Sequence, residues 1–101
     1  MDVVSAHHAR GEFFKILAQT DKSQVGVMTI APKGDSGPEE IHTGDQIVYI
    51  IDGEARVAVH GEELRMTKGD VAIIPKGARH HIYNDADTEL FFLTVYTPPQ
   101  Y

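Results

Sequence analysis

Residues 69–84 read GDVAIIPKGARHHIYN, and each part of that stretch has a structural job. Gly69 permits a tight entry into a strand. Val71 to Ile74 is that strand, a run of β-formers. Pro75 and Gly77 set a turn that returns the chain across the fold. His80 opens the return strand, and Asn84 is placed to close its far end through side-chain hydrogen bonds.

Further short apolar segments lie on either side. Val25 to Ile30, Ile47 to Ile51, Arg56 to His60, and Glu89 to Tyr96 are all bounded by Gly, Pro, Asp or Asn. Such spacing predicts an all-β sandwich or barrel. Asp52-Gly53 reads as a two-residue hairpin turn, since a tight turn needs positive φ. In that register Ile51 faces Glu54, Ile50 faces Ala55, Val48 faces Val57 and Gln46 faces Val59. Alternation then puts Gln46, Val48, Ile50, Ala55, Val57 and Val59 on one face, and Ile47, Tyr49 and Ile51 on the other. Glu12 to Ala18 fits a helical turn or an edge strand equally well. Phe13, Phe14, Phe91 and Phe92 read as core. Residues 1–12 form an N-terminal segment expected to be mobile, and 13–101 form a single domain.

The chain has 101 residues, no cysteine and a formal net charge of −6. One domain of this size buries about two-thirds of the surface that its unfolded chain exposes. Disulfides, thiolate zinc sites and a cysteine nucleophile are excluded. Fifteen acidic groups oppose nine scattered basic ones. No basic stripe is present to neutralise phosphates, so neither nucleic acid nor an anionic membrane surface is expected as a partner. No apolar run reaches membrane-spanning length and no signal peptide is visible, which predicts a soluble, cytoplasmic protein.

The order Gly69, five residues, Pro75, one residue, Gly77, two residues, His80, three residues, Asn84 matches the second motif of the cupin superfamily at every position. The first cupin motif is represented in variant form. Gly53 matches its last position, Gln46 falls where a Glu is usual, His42 falls on the second His, and Glu40 on the first. The chain thus resembles a cupin from about Phe13 to Tyr96. The resemblance implies an antiparallel double-stranded β-helix, or jelly-roll barrel. It also implies one divalent metal ion held by Glu40, His42, Gln46 and His80. Relative to the usual three His and one Glu, an amide oxygen replaces one nitrogen, and the carboxylate has moved from position 46 to position 40. Two nitrogens and two oxygens suit Mn, Fe, Ni, Co, Zn or Cu, which affinity order alone does not separate. His81, next to His80 on a strand, should face the other way. His7, His8 and His60 carry no expected role.

Two functional classes follow. The first is a metal-dependent enzyme of dioxygenase or isomerase type, acting on a small chelating carbonyl, keto-acid or sugar-like substrate in the barrel lumen. No catalytic residue is singled out, because no second carboxylate or lysine has to lie inside. The second is a non-catalytic cupin that binds or senses a small molecule. The uncovered Ile47, Tyr49 and Ile51 predict a homodimer.

Overall fold

The computed structural model describes residues 1–101. Eight strands carry almost all of the regular structure: β1 (Phe14–Gln19), β2 (Gln24–Ile30), β3 (Asp45–Asp52), β4 (Glu54–Val59), β5 (Glu62–Thr67), β6 (Val71–Ile74), β7 (His80–Tyr83) and β8 (Leu90–Thr97). A single turn of 3-10 helix, His7–Ala9, is the only helical element. Glu12 to Ala18 therefore resolves as edge strand rather than helix. No helix is long and apolar enough to cross a membrane.

The strands form two antiparallel sheets, one ordered β1-β2-β8-β3-β6 and one ordered β5-β4-β7. Strand alternation builds the core between them. Val48 and Ile50 of β3, Leu90 and Phe92 of β8, Ala55 and Val57 of β4, and Ile82 of β7 all bury their side chains there. This is the double-stranded β-helix that residues 69–84 led us to expect. β6 lies in the larger sheet, the Pro75–Gly77 turn crosses the barrel, and β7 returns in the smaller one. Asn84 closes the far end as expected. Its Nδ2 donates to the carbonyls of Ile30, Ala31 and Thr88, while its Oδ1 accepts from the Ala86 N–H.

The Asp52-Gly53 hairpin does not form. β3 pairs with β6 on one side and β8 on the other, so β4 has no free edge of β3 to join. Gly53 instead carries the chain from one sheet to the other at φ +91°, and a Cβ there would lie 2.5 Å from the Glu89 carbonyl oxygen. Only glycine passes. The inward face nevertheless carries Gln46, Val48, Ile50, Ala55, Val57 and Val59 as alternation predicts, because alternation does not depend on the pairing partner. The hairpin belongs one strand later. His60 and Gly61, both at positive φ, connect β4 to β5, whose charged sequence gave no strand signal. The strand expected to reach His60 ends at Val59.

Phe91 and Phe92 are buried, but Phe13 is 53% exposed and does not join the core. Phe91 packs with Val27 and Ala9 outside the larger sheet, and Ala6 and Ile51 join that cluster. The N-terminal segment thus covers Ile51, and Arg10 fastens it to Asp52 and Glu89 at 2.9 and 3.0 Å. Tyr49 remains 41% exposed, beside Val71 at 62% and Ile73 at 66% on β6.

Candidate functional site

A cavity of about 110 Å3 opens between the sheets, and Glu40, His42, Gln46 and His80 all line it. Three pieces of chain bring them there: the segment before β3 carries Glu40 and His42, β3 carries Gln46, and β7 carries His80. Glu40 forms an isolated bridge to His80, with backbone hydrogen bonds of 3.0 and 2.9 Å, so the two residues lie side by side on neighbouring extended segments. The His42 carbonyl accepts from Gly77 N–H, which ties its loop to the turn before β7. Gln46 projects inward from β3 in register with Tyr96 of β8. The rings of His42 and His80 stand 4.8 Å apart.

His80 is prepared to offer a lone pair. Its Nδ1 lies 3.0 Å from the Ala78 carbonyl oxygen. A carbonyl only accepts, so Nδ1 holds the proton and Nε2 is left bare. Burial pushes its pKa down, outweighing the Ala78 bond that raises it, and so favours the neutral ring. Gln46 is prepared in a similar way. Its Nε2 donates to Thr94 Oγ1 at 3.0 Å, which orients the amide, and its buried Oε1 has no partner. His42 Nδ1 is likewise buried and unpartnered.

Glu40 Oε2 accepts from His42 Nε2 at 2.9 Å and from the Tyr101 hydroxyl at 2.5 Å. Burial pushes the carboxyl pKa up, but the bonds from Tyr101 and His42 outweigh it and hold the group below its ordinary range. Tyr96 is pushed up to about 12, chiefly by burial. Tyr101 is pushed up further by burial and by its bond to Glu40. Both phenols therefore keep their protons at neutral pH.

The four expected residues meet in one pocket. As the side chains stand, no three His, Cys, Asp or Glu groups form a ready metal cluster. Sequence reading missed the aromatic part of the site. Tyr96, Tyr101, Phe13 and Phe14 also line the cavity, and no Lys or Arg does. Tyr101 lies 61 residues from Glu40 in sequence. No spacing rule links them, and only folding brings the tail to the pocket mouth. His81 faces away as expected, stacked on Tyr83 with its Nε2 3.2 Å from Asp35 Oδ1.

Comparison with known proteins agrees with this architecture. The chain is 32% identical over 79 residues to the oxalate-binding protein of Thermotoga maritima, covering 77% of this chain and 65% of that one. It is also 32% identical over 79 residues to endoribonuclease YbeY of Myxococcus xanthus, covering 78% of this chain but only 26% of that protein's length. A crystal structure from Bacillus halodurans superposes with a TM-score of 0.84 at 28% identity, covering 89% of this chain and 73% of the other. The cupin domain model matches residues 26–96, from β2 to the end of the inward-facing run of β8, and the chain belongs to the cupin family.

Proposed function

We propose that the pocket holds one divalent metal through Glu40, His42, Gln46 and His80. In this reading the protein is a metal-dependent enzyme of dioxygenase or isomerase type, acting on a small chelating carbonyl, keto-acid or sugar-like substrate. The observation that carries the reading is the pair of free donors in one cavity, Gln46 Oε1 without a partner and His80 Nε2 without a proton. Leaving the buried Oε1 of Gln46 unpaired costs stability unless something else satisfies it. Both hydrogen bonds to Glu40 fall on Oε2, which leaves Oε1 for an ion. The donor set therefore fits the metal.

A bound divalent ion supplies Lewis acidity that polarises a chelating oxygen. The chain's own residues do the rest. Ala78 fixes the tautomer of His80, Thr94 aims the amide of Gln46, and Glu40 adds one negative charge. Tyr101 keeps a proton at the pocket mouth, against Glu40. Phe14, Phe92 and Tyr96 supply the apolar part of the wall beside these polar groups.

The second reading, a binding module without turnover, is favoured by one observation. The pocket contains no lysine and no second carboxylate to serve as base or acid. The name of the Thermotoga maritima relative, an oxalate-binding protein, describes binding of this kind. Elemental analysis of protein purified without added metal, for wild type and His80→Ala, tests the metal. Wild-type occupancy near one ion per chain, sharply reduced in His80→Ala, is expected. Equal occupancy in both overturns the ligand set. Turnover of a diketone or catechol chelator by the loaded protein then favours the enzyme, and binding without conversion favours the module.

The assembly we propose is a homodimer. The uncovered patch of Tyr49, Val71 and Ile73 lies on one outer face, where Tyr49 pairs with Val71 and Ile47 with Ile73.

A further inference from the structure

The side chain of Tyr101 occupies part of the pocket in a way that describes what else could lie there. Its hydroxyl meets Glu40 Oε2 and His42 Nε2. Its ring packs edge-on against Phe14 at 5.0 Å, Tyr96 at 5.2 Å and His42 at 5.7 Å between centroids. The cavity left beside it is about 110 Å3. An apolar cavity that takes benzene measures ~150 Å3. The space beside the Tyr101 ring is smaller than that, and departure of the ring enlarges it by the volume of an aromatic ring.

The backbone of the tail is held independently of that ring. Gln24 on β2 is fully buried, and its Oε1 accepts from the N–H groups of Gln100 and Tyr101 at 3.2 and 3.1 Å. Its Nε2 donates to the Tyr101 carbonyl at 2.6 Å. Gly44 lets the tail lie close, since a Cβ there would come 2.6 Å from the Thr97 carbonyl oxygen. None of these contacts involves the Tyr101 side chain, which is anchored to the pocket by the phenol and the ring edges alone. Rotation about its Cα–Cβ bond swings the phenol out and leaves the backbone clamp intact.

The lining also limits charge. Without Lys or Arg in the wall, a second negative charge on a ligand would meet Glu40 with no compensating cation from the protein.

We infer that the pocket binds a small hydroxyaromatic or enol, whose hydroxyl replaces that of Tyr101 on Glu40 and His42 and whose ring takes the place of the tyrosine ring. The inference rests on the reading of this pocket as the ligand site, and narrows its ligand class. Tyr101 is the internal competitor that such a ligand displaces.

The test titrates the full metal-free chain with phenol, catechol and oxalate, following calorimetry and the NMR signals of the Tyr101 ring and the Gln24 side-chain amide. Tyr101→Ala is expected to bind phenol about tenfold tighter than wild type, the ratio produced by losing one competing hydrogen bond of ~1.4 kcal/mol. In wild type, catechol should shift the Tyr101 ring signals and leave the Gln24 amide in place. Equal phenol affinity in the two proteins overturns the inference, as does oxalate binding with the Tyr101 ring unmoved. If Tyr101→Ala does not fold, displacement of the ring in wild type decides alone. A parallel titration with Mn2+ and Zn2+ separates the two readings. Failure there removes the metal without touching the phenol result, and failure with phenol alone leaves the metal standing.

Discussion

Gln46 donates its amide hydrogen to Thr94 Oγ1 on the neighbouring strand, and that 3.0 Å bond leaves the buried Oε1 of Gln46 as an acceptor with nothing to accept. The same strand pair that fixes the amide also fixes which of its two ends is free. Gln46→Glu tests this arrangement. In the metal-free protein it places a second carboxylate near Glu40 and should cost ~1–3 kcal/mol in urea unfolding. With Mn2+ or Zn2+ added, the extra charge should tighten binding about tenfold, equivalent to ~1.4 kcal/mol. Weaker metal binding by the variant would mean that Gln46 does not touch the ion.

Asn84 joins β7 to two other parts of the chain: its two amide hydrogens are shared among three carbonyls, its Oδ1 accepts one bond, and it is 1% exposed. Asn84→Ala leaves three carbonyls short of a donor and should lower stability by ~2–4 kcal/mol. Asn84→Asp keeps the size but sets an acceptor against three acceptors, and should be at least as damaging. Chemical denaturation of the two variants checks the order. An alanine variant within ~0.5 kcal/mol of wild type would show that water replaces the side chain at no cost.

Acid stability should depend on Arg56. The guanidinium donates to Asp85 at 2.8 Å and to Glu63 at 2.6 Å, and lies over the Tyr83 ring. The bond from Arg56 holds the Asp85 carboxyl below its ordinary value of 3.8. A carboxylate depressed in the folded state contributes stability above its unfolded pKa, and that contribution fades as pH falls through the folded one. Wild type should therefore lose stability between about pH 4 and the lower folded value. Arg56→Met should flatten that part of the curve while also lowering the plateau. Identical slopes below about pH 4 in the two proteins would remove Asp85 from the account.

The exposed patch on β3 and β6 should be buried by a second copy. Covering side chains such as Tyr49, Val71 and Ile73 is worth ~1.5–3 kcal/mol each. Sedimentation at micromolar concentration is expected to give a dimer for wild type and a monomer for Tyr49→Asp. A monomeric wild type refutes the assembly.

Gly53→Ala tests the crossover between the sheets. The new methyl meets the Glu89 carbonyl, and φ +91° is strained for any residue with a Cβ. A loss of ~2 kcal/mol or more in denaturant midpoint analysis is expected. A neutral effect would mean that the crossover relaxes freely.

Much of the fold was legible because it depends on local rules. The turn residues of 69–84, the two-residue alternation of β3 and the donor types at 40, 42, 46 and 80 are all properties of short stretches, and they led to the barrel and its pocket. Two things were beyond reach of such rules. Asp52-Gly53 carries the same local signal whether it closes a hairpin or crosses between sheets. The choice was made by β6 and β8, which occupy both edges of β3. Tyr101 carries no signal at all, since nothing in its neighbours in sequence marks it as part of the pocket. Gln24 and Gly44, 77 and 57 residues before it, hold the tail so that the phenol reaches Glu40. Local sequence determined what each strand could bury. Competition for strand edges and long-range clamping, which exist only once the chain has folded, decided which strands paired and what stands at the mouth of the site.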